Sequence, residues 1–232
     1  MSAPLLSIVV GTLDRPDQIK ACIQSVIAHT DIPYELIITD AGRRPIALEP
    51  HPDEIKLIRE WPREGHAKGY NKAFRSAKGK YVCWLNDDAR CTPGWARTAA
   101  AFMEDNAWCG LGAFYYSEHG CCYHVNFYKD LIYANFGMIS RAFGDEIEWF
   151  DECVRMYGAD NSLTFKTILA GRGVCGIPGA KLQHLPVMDQ QRMENVAGQK
   201  ADERNLLVKY GPYIQKMQDM MARYPTTPLR TH

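Results

Sequence analysis

Residues 81–95, YVCWLNDDARCTPGW, decide the fold that this sequence predicts. The first five are apolar, with aromatic and β-branched side chains among them, which indicates a buried strand. The run stops at Asn86, and a helix is expected to follow with Thr92 as its N-cap and Pro93 at its first position. The adjacent carboxylates of Asp87 and Asp88 repel each other unless a positive charge lies nearby. A divalent metal carrying a phosphorylated ligand meets that condition, and a solvated acidic turn explains the pair equally well.

Strands and a helix alternate before this stretch. Residues 5–10 form an apolar run that predicts a strand buried on both faces, and residues 34–39 and 55–58 predict two more strands. Pro16 opens a helix between the first two strands. Its apolar stripe consists of Ile19, Cys22, Ile23, Val26 and Ile27. This order indicates a βαβ unit, and therefore a parallel sheet with its ligand crevice at the carboxyl ends of the strands.

A further helix is predicted after Gly65, and it leads into the strand at Tyr81. One stripe of that helix consists of Ala67, Tyr70, Asn71, Phe74 and Ala77. Asn71 is the exception on this stripe, because a polar amide among core positions needs a hydrogen-bonding partner. The partner is either another part of the protein or a ligand.

The segment after the Pro93 helix is rich in aromatic residues. Residues 108–116 and 121–128 predict two strands that form a hairpin around residues 117–120. A helix is expected to begin near Ser140. An aromatic stripe of this kind is usually part of a core, although such rings also stack on sugars and bases.

The C-terminal part is mostly helical. A helix is predicted to follow Gly158-Ala159-Asp160 and to run to Gly171, and residues 174–177 predict a short strand. Residues 189–223 predict a packed amphipathic appendage that breaks at Gly211-Pro212. The predicted domains are therefore residues 1–188, with halves 1–105 and 106–188, and a helical extension at 189–232.

Composition limits the functional classes. The formal net charge is zero and the pI is near 7.0, so no overall field attracts nucleic acid or an anionic membrane. Nucleic acid is therefore not the favoured partner, although a local basic groove could still bind it. The residues of that groove would be Arg43, Arg44, Arg63 and Lys68. The sequence has no apolar run of about 18 residues that predicts a membrane span, and residues 1–11 resemble a strand more than a signal peptide. The eight cysteines include no CxxC pair, which favours reduced thiols and a cytoplasmic protein.

Several motifs, taken in order, resemble the family-2 glycosyltransferases. The quoted segments are SIVVGTLDRPDQIKACIQSVIAHT, ELIITDAG, GHAKGYNKAFRSAKGKYVCWLNDDA, FGMISRAF, WFDE, YGADNSLTFKTILAG and KLQH, which together span roughly residues 5–185. The resemblance implies an α/β protein with the GT-A fold. This fold is a Rossmann-like, mixed but mostly parallel sheet flanked by helices, here followed by the C-terminal helical appendage.

The resemblance also implies a nucleotide-sugar donor, here a UDP-sugar. Asp40 would accept a hydrogen bond from the uracil ring, and Ala41 replaces the second acid of that motif. Asn71 would lie near the diphosphate, where Lys68 or Arg63 adds positive charge. The donor-binding residues implied are Thr12, Asp14, Arg15, Asp40, Lys68, Asn71, Asn86 and Asp87.

The family's Asp-x-Asp motif binds Mn²⁺ or Mg²⁺ through its last aspartate, which corresponds here to Asp88. His184 is the candidate further metal ligand. Asn86 stands where the first aspartate is usual, and its amide can still bond a ribose hydroxyl although it lacks the charge.

Asp160 lies at the position of the family's catalytic base, preceded by Ala159 where the family has glutamate. In that role it would deprotonate an acceptor hydroxyl as the hydroxyl attacks the anomeric carbon, which gives inversion in a single displacement. The structural alternative is that Asp160 caps its helix, a role that Asn161 or Ser162 can also fill.

The expected activity is therefore that of an inverting glycosyltransferase of the hexosyltransferase type, acting on a hydroxyl-bearing acceptor. The acceptor classes that remain open are a glycan, a protein, a lipid-linked sugar and a hydroxylated nucleobase. A nucleotidyltransferase of similar fold is one alternative, but Thr12-Leu13-Asp14-Arg15 lacks the glycines that such an enzyme needs after its first strand. A non-catalytic module that binds nucleotide-sugars is another alternative.

Overall fold

The computed structural model describes residues 3–47, 55–116, 124–125 and 132–224. The strands in these ranges are β1 (Leu6–Thr12), β2 (Tyr34–Asp40), β3 (Ile55–Arg59), β4 (Tyr81–Asn86), β5 (Ala89–Cys91), β6 (Cys109–Tyr116), β7 (His124–Val125), β8 (Ile132–Tyr133), β9 (Gly137–Ser140) and β10 (Gly173–His184). The helices are α1 (Pro16–His29), α2 (His66–Ser76), α3 (Trp95–Asp105), α4 (Arg141–Glu146), α5 (Ala159–Leu169), α6 (Gln190–Ala197), α7 (Gln199–Tyr210) and α8 (Ile214–Met221), with a 3₁₀ turn at Gly211–Tyr213.

Eight strands form one mixed sheet in the order β3-β2-β1-β4-β9-β6-β10-β5. The first four strands in this order are mutually parallel, and β10 runs parallel to β6. Strand β9 is antiparallel to both of its neighbours, and β5 is antiparallel to β10. The α/β architecture with a mixed, mostly parallel sheet and flanking helices is confirmed.

The middle of the sheet is buried on both faces. Residues 6–10 of β1 and 81–85 of β4 are all buried, which agrees with their continuous apolar runs. The stripe on α1 is buried at Ile19, Cys22, Ile23 and Val26. Ile27 was expected to join them, but it is 47% exposed because it lies at the solvent side of the stripe.

Three local predictions were wrong. Helix α3 begins at Trp95, and Thr92 donates its hydroxyl hydrogen bond to the Lys181 carbonyl instead of capping the helix. The reason is that β5 pairs with β10 just before this point, so the chain needs a turn through Gly94, which is left-handed, before the helix starts. Strand β10 is also much longer than the predicted residues 174–177.

The third error concerns the hairpin. Within the described residues, β6 pairs with β9 and β10, whereas β7 pairs with β8. The predicted turn at 117–120 lies outside the described residues. The helix expected near Ser140 is confirmed, with the Ser140 hydroxyl accepting a hydrogen bond from the Phe143 N–H.

The C-terminal helices pack against the sheet domain through a buried apolar face. Leu206, Tyr210 and Met217 are buried, and the Tyr210 ring meets Phe165 of α5 edge to face. The predicted break at Gly211 is confirmed by the 3₁₀ turn, and a further break lies at Gly198. The division into domains at residue 188 stays a prediction.

One polar contact of this appendage positions a loop of the sheet domain. The buried carboxylate of Asp202 accepts hydrogen bonds from the backbone N–H groups of Arg155, Met156 and Tyr157, at 2.8–2.9 Å. Because those residues lead into α5, the appendage fixes the start of the helix that carries Asp160.

Candidate active site

A cavity of about 230 Å³ opens at the carboxyl ends of β1 and β4. Its polar lining comes from both halves of the sheet domain and from the appendage. Among its lining residues are Thr12, Arg15, Glu60, Arg63, Asn86, Asp87, Asp88, Asp160, His184, Arg192 and Asn195. Ligand pockets typically measure about 300–1,000 Å³, so the described residues enclose part of a ligand the size of a nucleotide-sugar.

Asp87 is held by groups that follow β1. Its carboxylate accepts a 2.8 Å hydrogen bond from the Thr12 hydroxyl and lies 3.5 Å from the Arg15 guanidinium. Burial raises the pKa of the Asp87 carboxyl to about 6, and the charge of Asp88 acts in the same direction. These contacts fix the carboxylate within the protein.

Asp88 has a different environment. Its Oδ1 atom is buried and receives no hydrogen bond from the described residues. The His184 Nε2 atom lies 3.4 Å from Oδ1, because the antiparallel pairing of β10 with β5 sets His184 opposite Ala89. On the other side, an Arg192 nitrogen lies 3.8 Å from Asp88 Oδ2. An under-coordinated carboxylate oxygen beside an imidazole is a suitable pair of ligands for a divalent cation.

The first helix of the appendage enters this network at two points. Arg192 pairs with Asp88, and Asp189 accepts two 2.8 Å hydrogen bonds from the Arg15 guanidinium. The sequence analysis treated this segment as packing alone, and it missed both residues. The sequence of a charged helical segment does not indicate which of its side chains contact a site formed by residues far away along the chain.

Asp160 lies in the first turn of α5 and faces the cavity. Burial raises the pKa of its carboxyl from an ordinary 3.8 to about 7. Its Oδ1 atom accepts a hydrogen bond from the neighbouring Asn161 N–H, and the N-cap position belongs to Gly158, which makes no side-chain cap. The capping role is therefore not filled by Asp160.

Asn86 lines the same cavity at the end of β4. The Tyr70 hydroxyl lies 3.2 Å from its side-chain oxygen, donates to the Leu85 carbonyl and accepts from the Gly11 N–H. A side chain at Gly11 would collide with the Tyr70 ring, so glycine is required for this close approach. This arrangement joins the ends of β1 and β4.

Four predicted donor-binding residues do not line the cavity. Asp40 is fully buried, and its carboxylate accepts from the N–H groups of Gly42 and Ile46 and pairs with Arg59 at 2.9 Å. It therefore orders the loop after β2, and its carboxylate lies outside the lining of the cavity. Asp14 accepts a hydrogen bond from the backbone of the same loop.

Asn71 and Lys68 are the other two. The Asn71 amide bonds both backbone groups of Phe150 and the carboxylate of Glu152, so its partner is the protein and not a diphosphate. Lys68 is exposed and pairs with Glu64 on the same helix. These hydrogen bonds explain why a polar residue, Asn71, occurs on the otherwise apolar stripe of α2.

Comparisons with known proteins identify the family of this chain. The family model described as "Glycosyl transferase family 2" matches residues 7–143, which is more than half of the 232-residue chain. An uncharacterized glycosyltransferase of Haemophilus influenzae is 26% identical over 104 residues, which cover 44% of this chain and 35% of that protein. An uncharacterized protein of Mycobacterium tuberculosis, MT1568, is 25% identical over 109 residues, which cover 44% of this chain and 33% of that protein. The chain spans about a third of the length of these curated relatives.

Solved structures show the same fold. The mannosyltransferase PcManGT from Pyrobaculum calidifontis, in complex with GDP-Man and Mn²⁺, matches with a TM-score of 0.67 at 17% identity, over 95% of this chain and 70% of that one. GalNAc-T7 with UDP, GalNAc and Mn²⁺ matches with a TM-score of 0.66 at 13% identity, over 96% of this chain and 52% of that one. The predicted GT-A fold is confirmed. In the described part of the chain, the helices are too short or too polar to cross a bilayer.

Proposed function

Because this chain belongs to glycosyl transferase family 2, we propose that it is an enzyme that transfers a sugar from a nucleotide-sugar to a hydroxyl group of an acceptor. The donor is a UDP-sugar, the transfer inverts the anomeric centre, and a divalent metal assists it. One observation carries the proposal: Asp160, far along the chain from Asp88, lines the same cavity as Asp88 and His184. A candidate base and a candidate cation site at one cavity are what such a transfer requires.

The residues present fit a divalent cation such as Mn²⁺ or Mg²⁺. Asp88 supplies a buried oxygen with no hydrogen-bond partner among the described residues, and His184 lies beside it. No group of three or more such ligands occurs in the described ranges, which suits a metal that completes its coordination with substrate phosphates and water. When bound, the cation neutralises charge that builds on the departing diphosphate.

Guanidinium groups of this chain support the same leaving group. Arg15, Arg63 and Arg192 all line the cavity. A guanidinium binds phosphate oxygens through paired hydrogen bonds and keeps its charge at any physiological pH. Arg192 is 31% exposed at its side chain and lies 3.8 Å from Asp88, so it is free to turn from that carboxylate towards a diphosphate.

Asp160 acts as the general base. As the acceptor oxygen forms its bond to the anomeric carbon, its proton passes to the Asp160 carboxylate, and the bond from that carbon to the diphosphate breaks. A pKa of about 7, raised by burial, suits a base that operates near neutral pH. Such a base contributes typically ~10²–10⁴-fold to the rate.

A turnover assay tests this proposal. UDP-sugars are incubated with Mn²⁺ and a panel of glycans, lipid-linked sugars and hydroxylated nucleobases, and release of UDP is measured. We expect release that requires both an acceptor and the metal, and that falls ~10²–10⁴-fold in Asp160→Asn while UDP affinity is kept. Nucleotide-sugar binding without turnover would instead support a non-catalytic binding module.

A further inference from the structure

Arg90 is a half-buried arginine of β5 that does not line the cavity. Its Nη1 atom donates hydrogen bonds to the backbone carbonyls of Asp87 and Ala89, both at 2.8 Å. Its Nη2 atom donates to the side-chain oxygen of Gln18 on α1 at 2.7 Å. The two carbonyls lie immediately before and after Asp88 in the chain, so Arg90 fixes the turn that carries the candidate metal ligand.

The carboxylate of Asp88 depends on the backbone for its position. Its Oδ1 atom receives no hydrogen bond from the described residues, and Arg192 approaches Oδ2 only to 3.8 Å. The backbone carbonyl of Asp88 accepts a 2.8 Å hydrogen bond from the Leu185 N–H. Together with the bonds from Arg90, this bond fixes three consecutive carbonyls of the turn at residues 87–89. A metal ligand is held in one orientation by such supporting hydrogen bonds around it.

One face of α1 supports the whole segment from the end of β4 to the end of β5. Gln18, Cys22 and Ser25 share that face, since they are four and three residues apart on the helix. The Cys22 thiol donates to the last carbonyl of β4 at 3.7 Å, and the Ser25 hydroxyl accepts a 3.0 Å hydrogen bond from the Cys91 N–H. Both ends of the segment are therefore bonded directly to α1, whereas its middle is bonded to α1 through the Arg90 side chain.

We propose that Arg90 is a positioning residue for Asp88, whose guanidinium holds the turn that presents the Asp88 carboxylate to a divalent cation. This inference rests on the proposed function, in which that cation assists the transfer. A guanidinium suits the role because its rigid, planar set of donors reaches two carbonyls and the Gln18 oxygen at once. A lysine ammonium is a single charge on a flexible stem and cannot reproduce that geometry.

Calorimetric titration with UDP separates positioning of the metal ligand from a general structural role. Each protein is titrated once with Mn²⁺ present and once with EDTA, and the ratio of the two dissociation constants gives the contribution of the metal to binding. Loss of general structure weakens binding in both titrations, whereas a displaced Asp88 weakens only the titration with Mn²⁺. An EPR titration of Mn²⁺ into the protein with UDP measures the metal affinity directly.

Two variants of Arg90 are compared with the wild type. In Arg90→Met, which keeps an unbranched apolar chain and removes all the donors, we expect the metal contribution to fall about 10- to 100-fold while the metal-free UDP affinity is kept. In Arg90→Lys we expect part of that contribution to return, because an ammonium can bond one of the two carbonyls. Arg97→Met is the matched control, since Arg97 is exposed, does not line the cavity and bonds the carboxylate and the backbone carbonyl of Asp31.

The outcomes separate this inference from the proposed function. A wild-type metal contribution in a folded Arg90→Met, checked by circular dichroism, overturns the positioning role and leaves the transferase proposal standing. Equal weakening of both titrations, or the same fall in Arg97→Met, also overturns it. If Arg90→Met does not fold, Arg90→Lys decides, and a full wild-type contribution in that variant overturns the role. A wild-type protein that binds UDP equally well with Mn²⁺ and with EDTA overturns the proposed metal assistance and, with it, this inference.

Discussion

Replacing Asp160 with asparagine is expected to lower activity and raise thermal stability at the same time. The change keeps the size of the side chain and an oxygen that accepts the Asn161 N–H, but it removes the ionisable group. Because burial raises the pKa of Asp160 to about 7, the charged form is disfavoured in the folded protein. A neutral amide avoids that cost at any pH at which the wild-type carboxylate is ionised.

The direction and size of the stability change follow from the coupling between proton binding by Asp160 and folding. With a folded pKa of about 7 and an ordinary value of 3.8, the folded state binds the proton more tightly. Wild-type stability therefore falls as the pH rises from about 4 to about 7, and the penalty is complete above that. The two pKa values set an upper limit of about 4 kcal/mol. Because Asp160 is partly exposed, solvent reduces this to roughly 2 kcal/mol, or about 4–8 °C in Tm at pH 8.

Thermal melts of both proteins at pH 5 and pH 8 measure this effect, alongside UDP release at the same pH values. We expect the Tm gain of Asp160→Asn to be clearly larger at pH 8 than at pH 5, and wild-type transfer to increase with pH through about 7. Asp17→Asn is the control, since Asp17 holds the same first-turn position in α1 and is exposed. A Tm gain that is equal at both pH values would refute the raised pKa, and wild-type transfer rates would refute the base.

Other perturbations separate the metal site, the attachment of the appendage and its packing. In Asp88→Asn we expect the Tm increase that Mn²⁺ and UDP produce in the wild type to disappear, because the free carboxylate oxygen is lost; an unchanged increase in a fluorimetric melt would refute the metal role. In Arg15→Lys the paired bonds to Asp189 cannot both form, so denaturant titration should show a loss of about 1 kcal/mol and limited proteolysis should cut faster after residue 188. Cleavage at the wild-type rate would contradict that link. Tyr210→Phe removes a 2.7 Å hydrogen bond to Asp151 and should cost roughly 1–2 kcal/mol of unfolding free energy. Because Tyr210 does not line the cavity, a weaker UDP affinity in that variant would contradict a purely structural role.

Most of the fold follows from local pattern in the sequence. Apolar runs predicted β1 and β4, because strands buried on both faces need apolar residues along most of their length, and residues 34–39 predicted β2. The errors occur where pairing with distant residues decides the structure. Thr92 has the chemistry of a cap, but the pairing of β5 with β10 uses that part of the chain for a turn. No property of residues 89–94 alone reveals that pairing.

The sequence predicted correctly those residues of the candidate site that lie at or just after the carboxyl ends of the central strands. Thr12, Asn86 and Asp88 line the cavity because parallel strands end at one edge of the sheet. Asp40 also follows such a strand, but its carboxylate is consumed by its own loop. The sequence identifies the residue type at a strand end, whereas the local loop conformation decides whether the side chain is available.

The countercharge for the adjacent aspartates was the other unpredictable feature. Asp87 pairs with Arg15, which follows β1, whereas Asp88 faces Arg192 from the appendage. The expectation that only a cation or a solvated turn relieves the repulsion was therefore incomplete, because the protein supplies two guanidinium groups. Arg15 in turn pairs with Asp189, which also caps the helix that carries Arg192. Truncation at the predicted boundary would thus leave the site without one arginine and without the partner of the other, so the appendage belongs to the site as much as to the packing.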